Sequence, residues 1–146
     1  RALTTDLGEY FATNTELVWR VLAAPARGRH AEVLERAARL GSSFRTECGL
    51  PVAKAYLSAG QLPEAEAALQ RRIRVICGFG ATSFEFDAFS MLEYLLARFY
   101  RGQIYEKTGR TAQAAGEYRY FLTSFDRSSA RLPEIAEARQ ALRRLG

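Results

Sequence analysis

Cysteine and histidine are nearly absent. Cys48, Cys77 and His30 are the only ones among 146 residues, so a four-ligand zinc site would need carboxylates, and no structural metal is expected. Two cysteines also make no disulfide framework. They suit a reducing compartment, where both are expected to act as small buried apolar residues. No apolar run approaches the roughly 18 residues of a membrane span and no signal peptide opens the chain, so the expected location is cytoplasmic, with no membrane partner. Lysine is scarce too: Lys54 and Lys107 stand alone, and arginine supplies the rest of 21 basic side chains against 16 acidic ones. With alanine, leucine and glycine also abundant, this bias fits a GC-rich coding sequence. The net +5 is therefore discounted as a sign of nucleic-acid binding. An initiator methionine is missing as well, and the chain is expected to be an excerpt of a longer polypeptide.

What remains is ample core material. About half the residues, 48%, are apolar and 25% are charged, which excludes intrinsic disorder. At this length a fold buries roughly 70% of its unfolded surface without staples.

The apolar and glycine positions repeat. Gly102, Tyr105, Gly109, Ala114 and Tyr118 follow one another at steps of 3, 4, 5 and 4. Ala53, Tyr56, Gly60, Ala65 and Leu69 keep the same steps, and Val21, Ala24, Gly28, Val33 and Ala37 do so in degraded form. Each copy reads as a helix hairpin. A small residue three before an aromatic allows close approach of a second helix, and the glycine ends the first helix in the left-handed conformation. The small residue beyond the turn marks the helix crossing, and the last position lies one turn along that face. Such a hairpin cannot bury both faces alone, so it stacks on neighbours.

On these residues the chain resembles the tetratricopeptide repeat family, most closely around Gly102. Arg98 stands where the family often has tryptophan, Phe121 where it prefers alanine, and Asp126 where proline commonly closes a repeat. The resemblance implies an all-α fold: an α-solenoid of about three hairpins with a C-terminal capping helix. Residues 1–13 form an N-terminal lead, 14–45 a degenerate repeat, 46–77 a repeat, 78–91 an insertion, 92–126 the best-matching repeat, and 127–146 the cap. From Gly28 to Gly60 is 32 residues, near the family period of 34, but Gly60 to Gly109 is 49. The excess is expected to enlarge the first helix of the third repeat. A glycine-rich turn follows Cys77, Thr82 and Glu85 offer a capping box, and Phe89, Leu92, Leu96 and Phe99 form one stripe. Phe84 to Lys107 would then span about 36 Å. Thr13 and Glu16 offer a similar box near the N-terminus. Pro133 is placed to open the cap, with Ile135, Ala138, Leu142 and Leu145 inward and its charges arranged along the helix dipole.

No reactive constellation accompanies this pattern. His30 has no triad order around it, Gly78 to Ser83 lacks the lysine and spacing of a P-loop, and Glu85 and Asp87 point apart on a helix. The chain is expected not to be an enzyme and to need no cofactor. Arg71, Arg72 and Arg74, like Arg139, Arg143 and Arg144, read as solvated clusters at helix ends. The resemblance instead implies a non-catalytic interaction or scaffold module that takes a protein, peptide or helical segment in a concave groove. By position the groove residues are Val18, Trp19 and Leu22, then Leu50 and Lys54, then Phe99, Tyr100, Gln103 and Glu106, with Trp19, Leu50 and Phe99 equally open to being covered. The lysine and asparagine of the family's carboxylate clamp are not at these positions. The C-terminal region also looks like those of large bacterial signalling proteins. The alternatives are a regulatory or dimerisation domain acting within its own polypeptide and, further down, a nucleic-acid or small-ligand binder.

Overall fold

Helix formation follows the sequence punctuation closely at some points and overrides it at others. The structure, a computed structural model, describes residues 29–40, 48–79, 88–125 and 131–146. Within them are α-helices α1 (His30–Ala38), α2 (Gly49–Ser58), α3 (Leu62–Phe79), α4 (Ala88–Lys107), α5 (Thr111–Thr123) and α6 (Pro133–Leu145), and no strand. Neighbouring helices pack: α1 on α2, α4 on α5, and α6 on α5 with a smaller contact to α4. None of the described helices is long and apolar enough to cross a membrane. The chain divides into two compact units, Arg1–Arg71 and Arg72–Gly146.

In the first unit the turn between α2 and α3 is fixed by Gly60, at φ +73°. Gly60 N–H donates to the Leu57 carbonyl at 3.1 Å and Gln61 N–H to the Tyr56 carbonyl at 2.9 Å. This pair of bonds satisfies carbonyls that a helix end otherwise leaves open. Ala53, Ala65 and Leu69 are fully buried, and Tyr56 is half-buried. In α1, Val33 and Ala37 are buried, as the repeat pattern requires, whereas Val21, Ala24 and Gly28 lie outside the described residues. So do Thr13 with Glu16, Thr82 with Glu85, and Asp126.

The second unit repeats the turn. Gly109 sits at φ +75°, its N–H donates to the Glu106 carbonyl at 3.2 Å, and Arg110 N–H donates to the Tyr105 carbonyl at 2.8 Å. The Arg110 guanidinium lies 4.2 Å from the Tyr105 ring centre, closing the turn from outside. Between α4 and α5, Phe99 packs its ring 5.7 Å from Tyr118 and 5.3 Å from Phe121, centre to centre. All three rings are essentially inaccessible. Gly102 makes this possible, since a Cβ there would lie 2.9 Å from Tyr118 Cε1.

Several expectations are corrected. Gly78 belongs to α3, which runs to Phe79, so the chain does not turn directly after Cys77 as expected, and residues 80–87 lie outside the described part. A single glycine costs a helix only about 1 kcal/mol, too little by itself to stop α3 at Cys77. For the same reason Arg71, Arg72 and Arg74 lie within α3 rather than at its end. Arg72 is half-buried and pairs with buried Glu93. The long helix expected from Phe84 is seen from Ala88 onward, residues 84–87 lying outside the described part. Its buried face is wider than one stripe, taking in Leu95, Ala97, Phe99, Tyr100, Ile104 and Tyr105 while Leu92 and Leu96 stay half-buried. A helix packed from two sides needs more than one apolar stripe. In α6, Ala141 is buried and Leu142 and Leu145 are half-buried. Cys48 is buried, but Cys77 is an exposed thiol.

Candidate functional site: a cleft between α4, α5 and α6

Pairing along α4 and α6 fixes how they lie. Tyr100 Oη donates to Glu134 Oε1 at 2.9 Å, Gln103 Nε2 to Glu137 Oε2 at 3.3 Å, and Arg144 Nη2 to Glu106 Oε1 at 2.9 Å. Each step forward along α4 meets a step forward along α6, so the two helices run side by side in the same direction. The charged first turn of α6 was placed by its dipole. Here the same carboxylates also hold the helix to α4.

These contacts leave a cleft of about 420 Å³. One wall carries Gln103, Glu106 and Lys107 of α4, the other Glu137, Gln140 and Arg144 of α6, and the floor is Phe99, Tyr118 and Ala141. Tyr118 Oη donates to Glu106 Oε2 at 2.9 Å, so both Glu106 oxygens are occupied, one by the phenol and one by Arg144. Burial, reinforced by the Glu106 carboxylate, pushes the Tyr118 phenol well above its ordinary value. Tyr100 is displaced in the same direction by burial and by Glu134. Both phenols are thus held as neutral donors, which suits a structural tether rather than proton transfer near neutral pH.

On another face of α4, Arg98 and Arg101 converge on buried Glu117, with Nε at 2.8 Å and Nη2 at 2.6 Å. The Arg98 guanidinium also lies 3.7 Å from the Tyr120 ring centre. The cationic residue that departs from the repeat consensus is therefore neutralised by a carboxylate and stacked on an aromatic ring. Arg101 Nε is buried without a partner among the described residues.

Of the residues expected to line a groove, Phe99, Gln103 and Glu106 come together here. Phe99 contributes only the floor, being 1% exposed. Tyr100 sits beside the cleft, buried and tied to Glu134. Leu50 is buried and Lys54 half-buried in α2, within the first unit. Trp19, Leu22 and Val18 lie outside the described residues. Sequence reasoning missed Lys107, Tyr118, Glu137, Gln140 and Arg144 as lining residues. The spacing of 137, 140 and 144 does mark one face of a helix, but that face reads as solvent-facing until α4 is placed opposite it.

The described residues contain no group of three or more histidine, cysteine, aspartate or glutamate side chains able to hold a metal. Chemically, the cleft offers two amides, two cations and two carboxylates around a small apolar floor, a surface suited to binding. The described residues are thus all-helical, with neighbouring helices packed on one another and a polar cleft between α4, α5 and α6. Compared with known proteins, the chain matches no family model, no curated protein and no solved structure.

Proposed function

We propose that this chain is a non-catalytic interaction module of the tetratricopeptide type, an α-solenoid that binds a protein segment in the cleft between α4, α5 and α6 as part of a larger cytoplasmic signalling protein. The observation that carries this reading is the recurrence of one turn. Gly60 and Gly109 share the sign of φ, the same two closing hydrogen bonds and the same offsets to the small residues around them. In a repeat architecture the first helices line one surface, and α6, running alongside α4, takes the place that the first helix of a further repeat would occupy. The cap thereby supplies the second wall of a groove.

Phe99 is core, so the useful test leaves it alone. Gln140→Trp fills the cleft from its exposed wall. Peptides selected against the intact protein on an array should lose most of their binding to Gln140→Trp, with the circular dichroism spectrum unchanged. Binding that ignores the tryptophan would place the partner elsewhere, and selective retention of RNA instead of peptides would replace the reading altogether.

A further inference from the structure

Two hydrogen bonds between α4 and α6 join residues at one sequence interval. Tyr100 with Glu134 and Gln103 with Glu137 are both 34 residues apart, which is the period of the repeat itself. Each α6 residue therefore stands level with the α4 residue 34 before it. One side of α4 makes its contacts with α5: Arg98 pairs with Glu117, Gly102 lies against Tyr118, and Gly109 forms the turn between the two helices. The counterparts of Arg98, Gly102, Tyr105 and Gly109 are Leu132, Ala136, Arg139 and Arg143, a stripe along α6 and its N-cap at steps of 4, 3 and 4. Ala136, Arg139 and Arg143 are exposed and Leu132 is half-buried. Resting on the repeat reading above, but on nothing that enters the cleft, we propose that this stripe is a second docking surface, for an acidic amphipathic helix of a partner protein.

The charge of the occupant follows from how α6 divides its own charges. Glu134 and Glu137 are turned onto α4, so the stripe carries only positive charge. Arg139 and Arg143 lie one turn apart and pair with no carboxylate among the described residues. Like charges at that spacing repel. The helix dipole favours Arg143 in the last turn, but Arg139 lies before it. Carboxylates from outside would relieve both. The shape of the occupant follows from Ala136. A helix is what α4 accepts on the equivalent residues, and a small side chain at the crossing lets two helix axes come close. At Gly102 a Cβ would lie 2.9 Å from the Tyr118 ring. Ala136 carries such a Cβ, so a helix crossing there as α5 crosses α4 presents an aliphatic side chain, as Leu69 stands at the offset from Ala53. Because both arginines are exposed, they set preference more than affinity, and salt weakens them.

The test uses the intact protein and three peptides of about 18 residues, long enough to hold a helix. They are acetylated and amidated so that terminal charges are removed, and stapled on the far side so that their helicity is equal. Each shows a stripe of leucine and alanine on one face, flanked by four Glu, four Gln or four Lys. Fluorescence anisotropy at low salt should rank the Glu peptide above the Gln peptide by about tenfold, each arginine contributing about threefold, with the Lys peptide weakest. The double variant Arg139→Gln/Arg143→Gln should bring the Glu peptide down to the level of the Gln peptide. Ala136→Phe should abolish binding of both, with the circular dichroism spectrum unchanged because the position is exposed. Lys107→Gln removes a cation from the cleft instead and should alter neither. An equal loss in Lys107→Gln would reduce the effect to general attraction by a protein of net charge +5 and overturn the proposal. So would Glu and Gln peptides that bind alike, binding that ignores Ala136→Phe, or no binding at all. If sedimentation instead shows a dimer that Ala136→Phe separates, the stripe belongs to a second copy and the acidic partner is wrong. In each of these cases, array peptides that still lose their binding in Gln140→Trp would leave the groove reading standing.

Discussion

The turns at Gly60 and Gly109 are the same piece of backbone, yet the side chains around them solve the packing problem differently. Around Gly60 the slots hold Ala53, Ala65 and Leu69, all fully buried. Around Gly109 the equivalent slots hold Gly102, Ala114 and Tyr118. The larger ring at 118 is matched by the smallest residue at 102, where even a methyl group would come within 2.9 Å of Tyr118. Size is exchanged between two slots while the backbone stays fixed, as expected where only volume-conserving changes are tolerated. The exchange has a functional side. A tyrosine at 118 reaches Glu106 with its hydroxyl, which a leucine could not, and so the second turn carries a hydrogen bond to the cleft wall that the Leu69 slot lacks.

The largest effect that could break this comparison is Gly102→Val. It should cost about 1–3 kcal/mol in urea denaturation, because the ring it meets is buried and tied at its far end. The sharper version is a double-mutant cycle. In a Tyr118→Leu background, which recreates the Leu69 solution, Gly102→Ala should become neutral or stabilising by up to about 1 kcal/mol through helix propensity. If alanine at 102 costs the same in both backgrounds, the two slots do not exchange volume.

Next in size is the pair Gly60→Ala and Gly109→Ala. Neither glycine would place a Cβ within 4 Å of another atom, so the cost is purely that of the left-handed backbone, about 1–2 kcal/mol each. The two losses should agree within about 0.5 kcal/mol. A disparity much larger than that would show that the shared hydrogen-bond pattern does not mean shared energetics.

These glycines were legible in the sequence because the sign of φ is a local demand that few residues other than glycine meet cheaply. The Gly102 and Tyr118 pairing was legible as a small residue and an aromatic at fixed offsets. Gly78 shows the limit, since a glycine that reads locally as a turn is carried by the helix around it. The ion pairs were illegible for another reason. Arg98 departs from the repeat pattern, and its partner Glu117 is 19 residues away, too far for any helix-face rule. The cleft was half legible. Gln103 and Glu106 follow from position in the repeat, but Glu137, Gln140 and Arg144 gain meaning only when α6 is laid beside α4.

The smallest effect distinguishes a tether from a catalytic group at the floor of the cleft. Tyr118→Phe removes one hydrogen bond to Glu106 and should cost about 1 kcal/mol at neutral pH. Its signature is in alkali. The Tyr100 and Tyr118 phenols are both raised above the ordinary 10.0 in the folded state, so the unfolded chain loses those protons first. Their contribution is complete below about pH 10 and is lost as pH climbs through the folded values. Stability followed by denaturation should therefore fall above pH 10, less steeply in Tyr118→Phe and least in the Tyr100→Phe/Tyr118→Phe double variant. An ultraviolet titration in which every tyrosine of the folded protein ionises near pH 10 would contradict this, and would leave Glu106 held by Arg144 alone.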